Sequence, residues 1–258
     1  MAPECASITI EPHMHVARLA LTHTELAAAY GLRDGLQLNV TLPYDVKDMH
    51  IRYTTLDGQP FTPPYGDIHH RTETLTGVSD ASIGLDWRVH HDWIAGFGLS
   101  VPIGRTEPNP IVLGREGRTH EHMQFGSGTV QPRLALQYLR RGRVAFVARG
   151  EAHLSFYEND EGFRAPTSLL WSIGPSTRVR AIELDARFEG QHQTLGRWNG
   201  EVDEGSGFTN GGLRLGTSFD AGAIRIAPSV YRELFSHGMH DGSFRQGTTW
   251  ALSVSRTF

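Results

Sequence analysis

Strict alternation of apolar and polar residues runs along most of this chain and restricts it to β-structure, because side chains of a strand point alternately to opposite faces. The C-terminus shows the pattern clearly. One face of residues 249–258 carries Trp250, Leu252, Val254 and Phe258, and the other carries small or polar residues. Bacterial outer-membrane barrels usually end in such a strand, about 9–11 residues long and closed by an aromatic residue.

The same period of two recurs in earlier segments. In residues 36–47 every even position is apolar and every odd one is polar or proline. The other alternating segments are 81–89, 97–104, 130–138, 146–156, 182–189, 213–219 and 224–230, with a weaker one at 169–173. Residues 14–30 are ambiguous, because alanine and leucine occupy both faces, and a helix over 24–30 stays open. Counting back from Phe258 predicts about eleven strands.

The connections between these segments alternate between short and long. The short ones lie near 33–35, 90–92, 140–142, 175–177 and 220–222, and the long ones span roughly 55–79, 105–128, 158–167, 194–210 and 237–243. Outer-membrane barrels have short periplasmic turns, long extracellular loops and an even number of strands. The pattern predicts an all-β fold, a transmembrane antiparallel up-and-down β-barrel. It has twelve strands if residues 6–11 form a short first strand, and ten if the first segments do not pair.

The whole chain, 1–258, is predicted to be a single barrel domain, in which residues 1–12 form an N-terminal segment or the short first strand. No apolar run approaches the roughly 18–20 residues of a membrane helix. The net charge of -4, without a basic block, excludes a nucleic-acid partner. The opening MAPECASITIEP has neither the basic nor the apolar region of a signal peptide, so we expect export to depend on a signal that this sequence does not show.

The polar face carries charges of both signs on nearly every strand, which favours a watery interior over a soluble β-barrel or sandwich with its apolar face inward. A soluble or adhesive β-protein remains an alternative. The predicted lumen-lining residues are Asp86, Arg88, Arg133, Arg149, Glu151, His153, Glu183, Asp185, Arg187, Glu189, Arg214, Arg225, Glu233 and Arg245. They would either set ion preference, as charged rings do in pores, or pair with one another and stabilise a narrow lumen.

Aromatic residues lie toward the strand ends of the apolar face, as in the girdles of membrane barrels. They are Trp87, Trp171, Trp250, Tyr138, Phe156, Phe188 and Phe219. Prolines occur in the two longest loops, at 60–64 and 108–110, and we expect these loops to be rigid enough to fold inward as a constriction.

Few residues are arranged for chemistry. Among fourteen histidines, His120 and His122 have the best spacing for a metal, but they fall in a predicted loop without cysteine or a dense carboxylate cluster, so no metal and no cofactor is predicted. His153 and Ser155 have the spacing of the pair used by outer-membrane lipid hydrolases. Alternation places them on the lumen side, away from lipid. A lipid-acting barrel enzyme therefore remains the alternative, and no catalytic residue is predicted.

Four stretches, YGLRDGLQLNVTLPY (30–44), GVSDASIGLDWRV (77–89), GFGLSVPIG (96–104) and FGSGTVQPRLALQY (125–138), resemble the outer-membrane family named after the MetA pathway of phenol degradation. The residues that match its motifs are Arg33, Asp34, Gly35, Gly77, Asp80, Pro102, Gly104, Gly126, Ser127 and Gly128. The resemblance implies a membrane channel or uptake protein, in some members linked to aromatic degradation, and no catalytic residues.

Together these observations predict an outer-membrane, porin-like channel for passive uptake of small solutes, with the resemblance adding hydrophobic or aromatic compounds. The expected partners are the outer-membrane bilayer, the solute and the outer-membrane assembly machinery. That machinery would recognise the C-terminal face made of Trp250, Leu252, Val254 and Phe258.

Overall fold

The computed structural model describes residues 11–63, 71–238 and 245–258, and most of them lie in strands. In chain order the elements are β1 (His13–Arg33), β2 (Leu36–Thr55), β3 (Glu73–Val78), β4 (Ala81–His90), β5 (Trp93–Val101), α1 (Pro110–Arg115), β6 (Gln131–Arg140), β7 (Val144–His153), β8 (Phe163–Arg164), β9 (Ser168–Val179), β10 (Ile182–Gln193), β11 (Gly196–Trp198), β12 (Glu201–Asp203), β13 (Phe208–Ala221), β14 (Ile224–Gly238) and β15 (Thr248–Arg256). No helix of the described residues is long and apolar enough to cross a membrane.

The main sheet is antiparallel, in the order β1-β2-β4-β5-β6-β7-β9-β10-β13-β14-β15, so each strand neighbours the next long strand of the chain. β3 and β4 both pair with β2 and occupy one position, interrupted at Ser79 and Asp80. The predicted all-β, up-and-down antiparallel fold is thus confirmed, with eleven positions in the described residues. The predicted extra strand near 6–11 falls almost wholly on residues 1–10, outside the described part.

The alternative of ten strands is wrong, because β1 and β2 pair from His13 with Thr55 to Arg33 with Leu36. The same pairing shows that residues 24–30 are extended and not helical. The sheet curls into a half-barrel whose edges are β1 and β15. With eleven alternating positions these two edge strands run in the same direction. Antiparallel closure therefore requires one further strand of opposite direction between them.

The turns at one end of the sheet are short. Gly35, in the turn between β1 and β2, has φ of 74°, a conformation that glycine adopts without steric cost. One predicted turn was wrong: residues 175–177 belong to β9, and the chain reverses at Arg180 and Ala181 instead. Pro175 lies opposite Phe146 of β7. On the other side of β9, the pairing with β10 is interrupted at this position, so the strand tolerates a residue without a backbone N–H.

The two faces of the sheet differ in exposure in a way opposite to that of a soluble protein. Apolar residues of the outer face are exposed, as Leu85 (40%) and Leu215 (49%) illustrate, whereas the charged side chains of Asp185 (18%) and Arg187 (11%) on the inner face are enclosed. In the described part of the chain the large apolar side chains that are buried are Phe125 and Trp198, and neither lies in the main sheet. The sheet therefore encloses polar groups and presents its apolar side chains outward.

The long loops gather at the end opposite the short turns. They contain α1 and a small sheet in which β11 pairs with β12 and with β8. The rings of Phe163 and Trp198 lie 4.7 Å apart in this small sheet. The Asn109 side chain caps the N-terminus of α1, and Arg115 near its C-terminus pairs with Glu201 of β12 at 3.4 Å. The loops thus contact one another as well as the barrel wall.

Candidate solute pathway

The inner face carries clusters of ion pairs. The first surrounds Glu151 on β7, which accepts hydrogen bonds from Nε of Arg133 at 2.9 Å and Nη2 of Arg149 at 2.7 Å. Nε2 of His153 lies 2.8 Å from the same carboxylate. The Glu151 side chain is only 12% exposed, so two cations and an imidazole compensate for its lost hydration.

A second cluster joins β10 and β13. Arg214 donates from Nε to Glu189 at 2.9 Å and from Nη2 to Asp185 at 3.0 Å. Arg187 lies 3.6 Å from the same Asp185 and donates to the Gly174 carbonyl at 2.6 Å. These bonds connect neighbouring strands or residues two apart on one strand. The charges are therefore paired along the wall and do not reach across the interior.

The remaining predicted lining residues lie apart from these clusters. Arg225 of β14 pairs with Glu183 of β10 at 2.7 Å, and Asp86 accepts a hydrogen bond from Asn39 at 3.1 Å. Arg88 is exposed, and its backbone N–H donates to the Gly35 carbonyl in the first turn, at the end of the sheet with short turns. These positions are compatible with the predicted inner face.

The last two predicted lining residues flank the end of β14. Glu233 Oε2 accepts a hydrogen bond from the Gln246 backbone at 3.1 Å. Arg245 is exposed in the segment before β15 begins at Thr248, next to the cavity-lining Gln246, and its place in the lumen lining stays a prediction. The period-two pattern of β15 does not continue back to this residue.

A cavity of about 470 Å³ lies against the inner side of β7, β9, β10, β13, β14 and β15, which we call the open wall. Its lining contains the predicted Arg149, Glu151, Glu189 and Arg214, and also neutral residues that the sequence-based search for charges did not select. Those neutral residues include Gln191, Asn210, Tyr231 and Gln246. Tyr231 could have been found, because it has the same strand phase as Arg225, Ser229 and Glu233.

The Tyr231 ring packs against the neighbouring strand of the open wall. A methyl group added to Gly212 would lie 2.6 Å from Cζ of Tyr231, so the ring lies directly over the glycine backbone of the neighbouring strand. The added methyl would also overlap the Arg232 carbonyl oxygen, so a larger residue than Gly212 would clash with the backbone of β14 as well as with the ring.

The inner face of β2 to β5 is different, and we call it the covered wall. The connection between β5 and β6, residues 102–130, folds against it and places Phe125 over Gly77, whose added methyl would lie 3.1 Å from the ring. Nζ of Lys47 and Cζ of Arg105 lie 4.4 Å and 5.3 Å from the ring centroid. The Lys47 ammonium also donates to the Gln124 carbonyl. The predicted inward folding is therefore present for this loop.

Asp80 ties this loop to the wall. It lies in the interruption between β3 and β4, and its Oδ1 accepts from the Gly104 backbone at 3.0 Å. Its Oδ2 accepts from the Ser127 backbone at 2.7 Å and from the Ser127 hydroxyl at 2.8 Å. Asp80, Gly104 and Ser127 come from three separate motifs of the family resemblance. The structure thus joins those motifs in one contact, and the contact is structural in nature.

Beyond this contact, Arg71 bridges two carboxylates, Glu73 at 2.9 Å and Glu121 at 3.2 Å. Glu73 pairs opposite Met49, in the half of the long strand β2 that lies farthest from the short turn at Gly35. Burial, followed by a hydrogen bond with Glu121, raises the pKa of the Glu73 carboxyl above its ordinary value. The covered wall therefore has a second attachment to the loop, made of charged residues near the loop end of the sheet.

The two chemical alternatives receive no assembled site. The rings of His120 and His122 lie 5.0 Å apart, and no group of three His, Cys, Asp or Glu side chains in the described ranges is placed to hold a metal ion. His153 contacts Glu151, while the Ser155 hydroxyl is buried, and no hydrogen bond joins His153 to Ser155.

All residues of the edge strand β15 are exposed, those of the predicted lipid-facing face among them, with Trp250 at 79% and Leu252 at 67%. Val254 and Phe258 are exposed as well. Cζ of Arg256 lies 4.9 Å from the Phe258 ring centroid, so the charged residue packs beside the terminal aromatic ring. Recognition of this face by the assembly machinery stays a prediction.

No family model matches the chain, and no curated protein matches it. Among solved structures the chain is similar to the COG4313 outer membrane channel from Pseudomonas putida F1. The TM-score is 0.59 at 13% sequence identity, over 92% of this chain and 82% of that chain. At this identity the likeness shows a common fold, that of an outer-membrane β-barrel. The family named after the MetA pathway stays a prediction from the sequence motifs.

Proposed function

We propose that this protein is an outer-membrane channel through which small solutes pass passively. The observation that carries the proposal is the inverted exposure of the sheet, which encloses paired charges and a cavity and presents apolar residues outward. The fold shared with the COG4313 outer membrane channel from Pseudomonas putida F1 supports the same role.

The outward face supports the membrane location. Exposed large apolar side chains occur on every long strand of the main sheet, unlike the singly scattered apolar residues usual on the surface of a soluble protein. Transfer of such surface from water into lipid is favourable by roughly 25 cal/mol per Å². Of the predicted girdle, Trp87, Trp250 and Phe156 are each about half exposed or more, available to the membrane–water interface.

The interior supports passage of small solutes that carry both polar and apolar groups. The cavity wall combines ion pairs with amides and hydroxyls, and Tyr231 supplies an aromatic ring. Most of its accessible lining is nevertheless apolar. The resemblance implied hydrophobic or aromatic compounds, and aromatic uptake remains a hypothesis from that resemblance.

The proposal is tested by single-channel recording of the purified protein in planar bilayers, together with migration on detergent gels before and after heating. We expect heat-modifiable migration, as for a folded barrel, and discrete current steps. A protein that shows heat-modifiable migration but neither conductance nor solute permeation would contradict the channel function. A protein that is stable and monodisperse without detergent would contradict the membrane location.

A further inference from the structure

Every charged side chain in the lining of the open-wall cavity is ion-paired. The lining holds two arginines and two glutamates, and each arginine donates to a carboxylate: Arg149 to Glu151 at 2.7 Å, and Arg214 to Glu189 at 2.9 Å. A charged solute would have to compete with these existing ion pairs to gain a partner. A neutral solute avoids that competition.

Neutral hydrogen-bonding groups remain available beside the pairs. The amide nitrogen of Gln191 donates to Gln193 at 3.2 Å, and that of Asn210 donates to Gln246 at 3.4 Å. For the residues described, the structure records no hydrogen bond to the amide oxygens of Gln191 and Asn210 or to the Tyr231 hydroxyl. These three groups therefore offer acceptors and a donor to a solute in the cavity.

Most of the accessible lining around these polar groups is apolar. The Tyr231 ring is held over Gly212, and Leu170 lines the cavity from β9, where it pairs opposite Gln191. The volume of about 470 Å³ lies within the range of roughly 300–1,000 Å³ that small-molecule sites occupy. The wall thus matches a small solute that has several hydroxyl groups and an apolar face.

We propose that this cavity is a binding site for a neutral polyhydroxylated solute of the size of a mono- or disaccharide, which a solute meets on its way through the channel. The inference rests on the proposed channel function. A phenol would fit the ring but has a single hydroxyl, and it would leave the amide oxygens without hydrogen bonds. The number of neutral polar groups therefore favours a saccharide.

The experiment records single-channel currents with glucose or maltose added, for the native protein and for Tyr231→Phe and Tyr231→Ala. Saccharide should interrupt the current in resolved blocks. Tyr231→Phe, which loses only the hydroxyl, should shorten the mean block about threefold, and Tyr231→Ala should shorten it about tenfold. The matched control is Tyr138→Phe, because Tyr138 packs with Trp93 outside the cavity at 5.1 Å between ring centroids. Its blocks should keep the native duration.

The outcomes separate this inference from the channel function. Conductance without saccharide blocks, or longer blocks by phenol than by maltose, would overturn the saccharide site and leave the channel function standing. If the protein shows no conductance, the channel function is wrong. Calorimetric titration of the detergent-solubilised protein with maltose then tests the saccharide site independently of the channel function. Binding that weakens in Tyr231→Ala supports it, and native-like heat-modifiable migration confirms that each variant folds.

Discussion

The covered wall and the open wall belong to one sheet with one alternation, yet their inner faces are filled in different ways. On the covered wall small inward residues such as Gly77 leave room, and a loop enters, so that Phe125 is only 5% exposed. On the open wall the inward residues are long and charged, such as Glu151 and Arg214, and they satisfy one another across neighbouring strands. A cavity remains beside them.

The difference teaches how a barrel of intermediate size is partly filled. Inward side chains alone do not fill an interior of about twelve strands. The covered wall is therefore filled by a loop, whereas on the open wall ion pairs hold the side chains along the wall. Under the proposed channel function, we expect the ion-paired wall to contact the solute and the loop to set the width of the passage.

The largest effect is expected from Asp80→Ala, which would release the loop from the covered wall and so remove the difference between the two walls. The variant removes the acceptor of three hydrogen bonds, including the backbone donors of Gly104 and Ser127. We expect a loss of about 3 kcal/mol in the free energy of unfolding and a larger, noisier single-channel conductance. Denaturant titration in detergent and bilayer recording measure the two effects.

The control for this variant is Asp57→Ala, which removes a carboxylate that bonds to Thr55 within an exposed turn of another loop. It should keep the native stability and conductance. A native conductance in Asp80→Ala would show that the loop does not limit the passage, whatever happens to stability.

An intermediate effect is expected from Glu151→Gln, which acts on the open wall alone. It leaves Arg133 and Arg149 without their shared carboxylate, so the cavity becomes more positive. We expect a loss of about 2 kcal/mol in stability and a reversal potential shifted toward anion selectivity under a salt gradient. Arg149→Gln is the matched variant. Because it removes a positive charge, its reversal potential should shift the other way, toward cation selectivity, and by less, since Arg133 still pairs with Glu151. Equal selectivity in all three proteins would mean that ions do not pass this wall.

The smallest effect is expected from Gly77→Ala on the covered wall. The added methyl would lie 3.1 Å from the Phe125 ring, so the ring must shift by a few tenths of an ångström. We expect about 1 kcal/mol of destabilisation and slightly noisier current. Gly150→Ala on β7 is the control, since an added methyl there meets nothing within 4 Å, and its stability should be unchanged. If Gly150→Ala lost more stability than Gly77→Ala, the contact of Gly77 with Phe125 would not explain the destabilisation.

Much of the fold followed from local pattern. The period of two predicted the strands, their two faces and most of the turns. It also predicted lining residues, of which twelve lie on long strands at positions compatible with an inner face, and a thirteenth, Glu233, lies near the end of β14. It failed where a local cue was misleading. Pro175 looked like a turn residue, but a gap in the pairing with β10 makes its missing N–H harmless.

The sequence by itself determined that the chain forms many amphipathic strands with apolar residues outward and mixed charges inward, because alternation depends only on residues next to one another along the chain. Only the tertiary structure decided which wall receives a loop, which charges neutralise each other and where the cavity remains. Those features depend on strand register and on contacts between distant residues, such as Asp80 with Ser127 or Tyr231 with Gly212. Neighbouring residues in the sequence carry no information on which distant partners will meet.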